Sequence, residues 1–369
     1  MKRYLSEIIA KDLERKMVFL TGPRQVGKTT LALSYLKNQE AYLNWDTDEG
    51  RASILDKKFA SSELLIFDEI HKYRKWRNYL KGICDSLSYN QKILVTGSAK
   101  LEWYRFGGDS LQGRYLMYRL HPLTVAELGI NADSDFQQLL TLGGFPEPFF
   151  SGSEDEARRW SRLYRTRLVR EDLATLEDLK DLGTVELLAS RLPDLVGSPL
   201  SINALREDLQ VAHQTVSKWL LSLERTYAFF RLLPFGSPKL KAVKKEQKHY
   251  HFDWSIVPQK GPRFENLLAV HLLKWCQYQE DSRGIDIELR YFRDVTGREI
   301  DFIITVDKKP TLAIEAKYDD SVLSPTLKYF KNRFPECSTI QLTAVDNKDY
   351  ISGDGIKLMW APRFLQTLI

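Results

Sequence analysis

The chain has 369 residues, 43% hydrophobic and 28% charged, with a net charge of +5. At roughly 150 residues per domain this describes a globular protein of two to four domains and excludes a low-complexity chain. No run of 18 apolar residues predicts a membrane span, and Cys84, Cys276 and Cys337 lie too far apart in sequence to suggest a zinc site or a disulfide framework. The N-terminal Met1-Lys-Arg-Tyr-Leu-Ser-Glu7 lacks a signal peptide's apolar stretch, so a reducing cytoplasm is the expected location.

Met17-Val-Phe-Leu-Thr21 is a short apolar run that predicts a buried strand, and Thr30-Leu-Ala-Leu-Ser-Tyr-Leu36 continues at helical spacing. Between them, Gly22-Pro23-Arg24-Gln25-Val26-Gly27-Lys28-Thr29 reads G-x-x-x-x-G-K-T without a mismatch. Such a loop wraps a triphosphate with backbone N–H groups, which requires glycine where a Cβ would obstruct the approach. Residues 22–30 are therefore the candidate ATP cradle, with Lys28 for the β- and γ-phosphates and Thr29 for Mg²⁺.

Hydrolysis needs a second, acidic strand. Leu64-Leu-Ile-Phe-Asp68-Glu69 supplies four apolar residues and then two carboxylates, at the strand end where ligands sit on an open α/β sheet. Asp68 is expected to hold the Mg²⁺ sphere and Glu69 to polarise the attacking water. Lys92-Ile-Leu-Val-Thr96-Gly-Ser98 predicts a third strand, with Ser98, or secondarily Thr96, as a candidate sensor of the γ-phosphate or the water, against the plain alternative of a surface turn with the same letters. In Ser110-Leu-Gln-Gly-Arg114 the arginine is a candidate finger for the γ-phosphate of a neighbouring subunit or domain, against the plain alternative of a surface arginine. Thr124-Val-Ala-Glu127 has capping-box spacing and is read as a helix start.

Ala157–Leu182 shows helical spacing with many arginines, by default a solvated face. Leu200–Leu209, a turn, Thr215–Leu223 and the apolar Thr226–Leu233 give the order helix, turn, helix, strand of a winged helix. In a DNA-binding version His213, Gln214, Ser217 and Lys218 would face the major groove. Lys239–Lys248 holds five lysines and reads as a solvated linker with phosphate contact as the alternative.

Three pieces matter beyond it: a helix from Phe264 with Glu265 near its start, a strand opening Glu299-Ile-Asp301, and the strand Leu312-Ala-Ile-Glu315-Ala-Lys317. Residues i and i+2 of a strand share a face, so Glu315 and Lys317 project together from an apolar strand, where buried charges are costly unless used; the alternative is a structural Glu315–Lys317 ion pair on an exposed edge strand. The arrangement resembles the D…E-x-K core of restriction-type nucleases. That resemblance implies Asp301, Glu315 and Glu265 around Mg²⁺ and Lys317 activating water, with Gln341 on the following strand lining the site.

Gly22–Thr29, Asp68-Glu-Ile-His-Lys72, Thr96-Gly-Ser98, Leu111-Gln-Gly-Arg114 and Gly143-Gly-Phe-Pro-Glu147 together resemble the prokaryotic AAA-type ATPases that carry a C-terminal domain related to restriction endonucleases. The resemblance covers nearly the whole chain. It implies an α/β multidomain fold: a P-loop, AAA-type parallel-sheet core over 1–130, a helical lid over 131–183, a winged-helix domain over 184–237 and a restriction-endonuclease-like α/β domain over 238–369. The expected activity is Mg²⁺-dependent ATP hydrolysis coupled to nucleic-acid binding, DNA before RNA, with metal-dependent cleavage as an extension. The alternative is a non-cutting switch whose C-terminal domain binds a protein or nucleic acid. No membrane partner is expected, and a finger acting in trans requires a homo-oligomer.

Overall fold

The computed structural model describes residues 1–86, 91–97, 101, 111–173, 181–236, 247–319, 322–346 and 349–369. Ser98 and the lysines of 239–246 lie outside them. The chain forms two compact units, Met1–His121 and Pro122–Ile369.

The first unit runs α1 (Ser6–Asp12), β1 (Met17–Thr21), α2 (Lys28–Leu33), β2 (Tyr42–Asn44), α3 (Asp48–Asp56), β3 (Leu64–Asp68), α4 (Trp76–Ser86), β4 (Lys92–Thr96) and β5 (Tyr115–Arg119). Its strands pair in the order β2-β3-β4-β1-β5, every pair parallel. β1 and β3 are buried throughout, which is why both read as continuous apolar runs rather than alternating ones. Phe19, Phe67, Trp76, Leu80 and Val95 fill one core, and Phe19 stacks on Tyr115 with centroids 4.4 Å apart. Each such burial contributes about 1.5–3 kcal/mol.

The second unit opens with α5 (Val125–Leu128), α6 (Asp133–Leu142), α7 (Pro146–Ser151), α8 (Glu154–Arg167) and α9 (Leu182–Arg191). Gly143-Gly-Phe-Pro-Glu147 acquires a packing explanation here. A Cβ on Gly144 would stand 2.4 Å from the Trp254 ring and 2.7 Å from the Leu123 carbonyl oxygen, and Phe145 packs against the stacked pair Trp160 and Tyr164. The helical spacing read over 157–182 falls on α8, which gives way at Leu168 to a wider π turn through Leu173; residues 174–180 lie outside the described ones. α5 starts with Thr124 at its N-cap as the spacing suggested, but the Thr124 side chain makes no cap hydrogen bond. Its hydroxyl donates to Glu127 and accepts from the buried Lys274 ammonium, so the pair is part of a buried ionic contact instead.

β6 (Pro199–Leu200), α10 (Ile202–Leu209), α11 (His213–Arg225), β7 (Phe229–Pro234) and β8 (Gln247–His251) follow, with β8 antiparallel to both β6 and β7. Then come α12 (Lys260–Arg283), β9 (Ile287–Arg293), β10 (Glu299–Val306), β11 (Lys309–Lys317), α13 (Pro325–Arg333), β12 (Ser338–Thr343), β13 (Tyr350–Ile351), β14 (Lys357–Trp360) and α14 (Ala361–Leu365). β9, β10 and β11 form an antiparallel meander, and β12 joins β11 in parallel. β7 also pairs with β9, so nine strands run in the order β13-β14-β12-β11-β10-β9-β7-β8-β6. Among the described residues no helix is long and apolar enough to cross a membrane.

His271 of α12 is held neutral by its neighbours. Its Nε2 accepts the Val125 N–H at 3.1 Å, and Nδ1 faces the Leu267 carbonyl at 2.8 Å, which places the ring proton on Nδ1. Burial pushes its pKa down to about 3. A histidine whose folded pKa is depressed contributes stability above its unfolded value near 6.5 and loses it as pH falls towards the folded value. Urea unfolding of the second unit should therefore weaken below pH 6.5 by about 1.4 kcal/mol per pH unit from this residue. A His271→Gln protein should show a slope shallower by that amount between pH 6.5 and 4.5; parallel slopes would refute this account of the ring.

Candidate functional site

The loop after β1 closes tightly. Gly22 has φ +136, and a Cβ there would stand 2.3 Å from the Leu120 carbonyl oxygen, so only glycine fits. Gly27 has φ +98 and starts α2 in the left-handed region, with Gln25 also at positive φ. Buried Arg3 braces the loop from beneath, donating from Nη1 to the Val26 carbonyl at 2.9 Å and from Nη2 to the His121 carbonyl. The loop's polar side chains are less enclosed: Arg24 is half-buried, Gln25 and Thr30 are exposed, and Pro23 and Val26 are buried. Lys28 is buried with its ammonium on the carbonyls of Gly22 (3.0 Å) and Pro23 (2.6 Å), so it lies across the cradle rather than in solvent.

β3 delivers Asp68 to the same end of the sheet, and its carboxylate is held by three hydroxyls. Thr29 Oγ1 donates to Oδ2 at 3.0 Å, Tyr42 OH to Oδ2 at 2.6 Å and Thr96 Oγ1 to Oδ1 at 2.5 Å. Parallel pairing explains the last contact, because Asp68 and Thr96 are register partners on adjacent strands. The Thr96 hydroxyl is thus committed to Asp68, which removes it from the sensor role considered for it; Ser98 lies outside the described residues. Thr29 and Asp68 present hard oxygen donors side by side, the donor chemistry Mg²⁺ takes.

Glu69 follows at φ +56, a left-handed conformation that costs a non-glycine residue of order 1–3 kcal/mol. Its N–H donates to the Thr96 carbonyl at 3.0 Å, which fixes the turn. Its carboxylate lies 3.5 Å from His71 Nε2 and 3.5 Å from Lys72 Nζ. Burial raises its pKa, reinforced by the Asp68 charge and opposed by Lys72 and Lys28. A desolvated carboxylate beside the Asp68 oxygens is placed as a water-orienting base would be.

Arg114 stands elsewhere. It directly precedes β5, whose Tyr115 pairs with Met17 at the start of β1, whereas the phosphate loop follows the end of β1. Five strand residues, about 17 Å, separate the two ends. Its guanidinium meets Asp85 at 3.0 Å. Arg114 therefore does not serve the loop of its own sheet.

In the second unit Glu265 (α12), Asp301 (β10), Glu315 and Lys317 (β11) do come together, and Gln341 is the register partner of Glu315. Gln341 is spent on backbone, accepting from Ser324 N and donating to the Val322 carbonyl at 2.9 Å each. At the centre of the carboxylates stands Lys248, which sequence reading assigned to a solvated linker. Its side chain is 0% exposed, and Nζ lies 2.7 Å from Glu299 Oε1, 3.0 Å from Glu265 Oε1 and 3.0 Å from Asp301 Oδ1. Tyr250 OH donates to Glu265 Oε1 at 2.6 Å, Ala316 N–H to Asp301 Oδ2 at 2.9 Å, and Lys317 meets Glu315 Oε1 at 3.0 Å. Burial opposes the Lys248 charge, but Tyr250, Asp301, Glu265 and Glu299 outweigh it and hold its pKa well above the ordinary value. Burial, with the Asp301 charge behind it, pushes Glu265 and Glu315 each up to about 7.

The expected Mg²⁺ set of Glu265, Asp301 and Glu315 does not fit this arrangement. An ammonium takes the convergence point, and among the described residues no three His, Cys, Asp or Glu side chains form a set able to hold a metal. Tyr42 and Lys248 are the residues of these two clusters that sequence reading missed. Tyr42 belongs to no motif. Lys248 sits at the end of a lysine run, and only the alternation of His249 and His251 with Tyr250 and Phe252 hints at a strand.

Residues 14–129 match the AAA domain family, 133–261 the Domain of unknown function (DUF8612) and 260–362 the Domain of unknown function (DUF4143). An uncharacterised protein of Mycobacterium tuberculosis is 25% identical over 324 residues, covering 80% of this chain and 72% of that protein. An uncharacterised protein of Methanocaldococcus jannaschii is 24% identical over 305 residues, covering 67% of this chain and 63% of its own length. Among solved structures, a RuvB variant of Thermotoga maritima has 20% identity and a TM-score of 0.27, covering 62% of this chain and 87% of that one. The Aeropyrum pernix ORC1 protein, solved in complex with DNA, has 15% identity and a TM-score of 0.33, covering 72% and 90%. Structural likenesses this weak carry no functional inference. The family match spans the loop, Asp68, Glu69 and Arg114, and with them the N-terminal unit is a P-loop domain of the AAA type.

Proposed function

We propose that this chain is a cytoplasmic Mg²⁺-dependent ATPase whose nucleotide state governs engagement of nucleic acid, DNA before RNA. The observation that carries the ATPase is the convergence of Lys28, Thr29 and Asp68 at one end of the parallel sheet. In this reading Gly22–Thr30 wraps the triphosphate, Lys28 exchanges two loop carbonyls for the β- and γ-phosphates, and Thr29 and Asp68 hold the metal. A metal held there would supply positive charge against the negative charge that develops on the phosphates. Tyr42 and Thr96 keep the Asp68 carboxylate aimed, and Glu69 orients the attacking water. Arg114, at the far end of its own sheet, acts only on the loop of a neighbouring copy, which makes the working form a homo-oligomer.

The nucleic-acid part rests on β6, α10, α11, β7 and β8, a strand-framed helix-turn-helix of winged-helix kind within the 184–237 region and the strand just beyond it. His213, Gln214 and Lys218 are exposed on α11, and Ser217 is half-buried beside them. The 131–183 segment serves as the lid. The α12, β9–β11, α13, β12 order and the placement of Glu265, Asp301, Glu315 and Lys317 support a restriction-endonuclease-like domain over 238–369. Metal-dependent cleavage there is the weaker reading, because Lys248 stands among the carboxylates. That ammonium favours the second reading, a C-terminal domain that binds a partner without cutting it.

Three experiments test these assignments. Lys28→Ala should lower ATP turnover by ~10²-fold or more, the scale seen when a preorganised charge contact is removed. Unchanged turnover would remove the loop from catalysis. Lys28→Ala and Arg114→Ala proteins, each inactive alone, should regain turnover when mixed, since one supplies an intact finger and the other an intact loop; no recovery at any ratio would end the finger assignment. For the partner, duplex and single-stranded DNA and RNA should be titrated with and without ATP over a salt series, beside Lys218→Glu. Binding that shifts with nucleotide, and a salt slope reduced by about 1 in the variant, supports the helix-turn-helix contact. Binding insensitive to both would move the partner to protein. The same tubes, carried on with Mg²⁺ or Mn²⁺ beside Asp301→Asn, show whether any strand is cut.

A further inference from the structure

The carboxylates of the second unit sit where a divalent cation would be expected, yet their geometry is that of a site already filled. Lys248 Nζ has three carboxylate partners, Glu265 Oε1, Glu299 Oε1 and Asp301 Oδ1, at 2.7–3.0 Å. An ammonium carries three N–H donors, so these contacts saturate it. All three carboxylates have a further partner: Glu265 Oε1 takes the Tyr250 hydroxyl, the other oxygen of Asp301 takes the Ala316 N–H, and the other oxygen of Glu299 lies 3.8 Å from Arg293 Nη1. The Tyr291 ring lies 5.9 Å from Nζ and closes another side. With a side chain 0% exposed, the ammonium has exchanged its hydration shell for carboxylate oxygens. A divalent cation makes the same exchange, at 2.0–2.6 Å and with tighter demands on ligand geometry.

We propose that Lys248 is a built-in replacement for the divalent cation, so that the Glu265–Asp301–Glu315 centre takes no Mg²⁺ or Mn²⁺ and acts as a fixed ion-pair centre joining β8 to α12 and β10. The placement of the acids on the nuclease-like strand pattern is part of the proposed function. The inference about Lys248 rests on those positions and on the distances, and it holds whether or not the protein binds nucleic acid. Removing the ammonium leaves Glu265, Glu299 and Asp301 facing one another, which is a cation site in the making.

The test is Mn²⁺ binding to the full-length, nucleotide-free protein, by calorimetry and by the electron paramagnetic resonance of free Mn²⁺. Wild type, Lys248→Ala, Lys248→Met, Asp301→Asn, Asp68→Asn and Lys248→Ala/Asp301→Asn are compared. The Asp68→Asn protein identifies any binding that belongs to the nucleotide site. Wild type is expected to show no Mn²⁺ site that depends on Asp301. Lys248→Ala is expected to gain one such site per chain, with Mn²⁺ raising its melting temperature, and to lose it again in the double variant.

A site in wild type that Asp301→Asn abolishes and Asp68→Asn leaves intact would overturn the proposal. So would a folded Lys248→Ala or Lys248→Met protein that gains no site. If both variants unfold in chelator, refolding on addition of Mn²⁺ supports the replacement, and failure to refold counts against it. None of these outcomes depends on nucleic-acid binding or ATP turnover, so failure of the proposed function would be read separately.

Discussion

A carboxylate taken out of water must be answered by a donor or a cation, and both units are organised around one that is. In the first, Asp68 is answered by hydroxyls alone, from Thr29, Tyr42 and Thr96. Three neutral donors fix the direction of the carboxylate without cancelling its charge, so it keeps its attraction for a cation. In the second, Asp301 is answered by an ammonium and a backbone amide, and its charge is spent within the fold. Asp68 at the end of β3 and Asp301 near the start of β10 thus have opposite chemical standing, and the difference lies in what surrounds each carboxylate.

The surroundings of Asp68 follow from parallel pairing. Because β4 lies between β1 and β3, the Thr96 hydroxyl falls beside the carboxylate in register, and the loop after β1 brings Thr29 to the other oxygen. The left-handed backbone at Glu69 then turns the chain immediately, which keeps the second acid at the same rim. Buried Arg3 extends the arrangement downwards by tying the loop carbonyl of Val26 to the end of the sheet. The nucleotide loop is consequently supported from two sides before any nucleotide arrives, which reduces the ordering it must undergo on binding.

Much of this was legible in the sequence. The loop, the Asp68-Glu69 strand and the acids of the last third rest on local spacing, and spacing survives folding. Arg114 was legible as a residue type and illegible as a position, since only strand pairing reveals which end of a sheet an arginine occupies. Thr124 and Glu127 carried a capping signature that tertiary contact with Lys274 redirected. Lys248 was the hardest case. Composition assigns a lysine run to solvent, and nothing local distinguishes its last member, which the fold carries inward to acids 17, 51 and 53 residues away.

β8 has no solvent face. Lys248 and Tyr250 turn to the acids, while Gln247, His249 and His251 turn to the packing around Leu192 and Ala228. Side chains alternate with a period of two, so a slip of one residue would exchange the two sets, driving an ammonium into an apolar core and imidazoles among carboxylates. The strand therefore behaves as a parity lock. Within the five residues themselves, a single-residue indel is the change the fold is least able to accommodate.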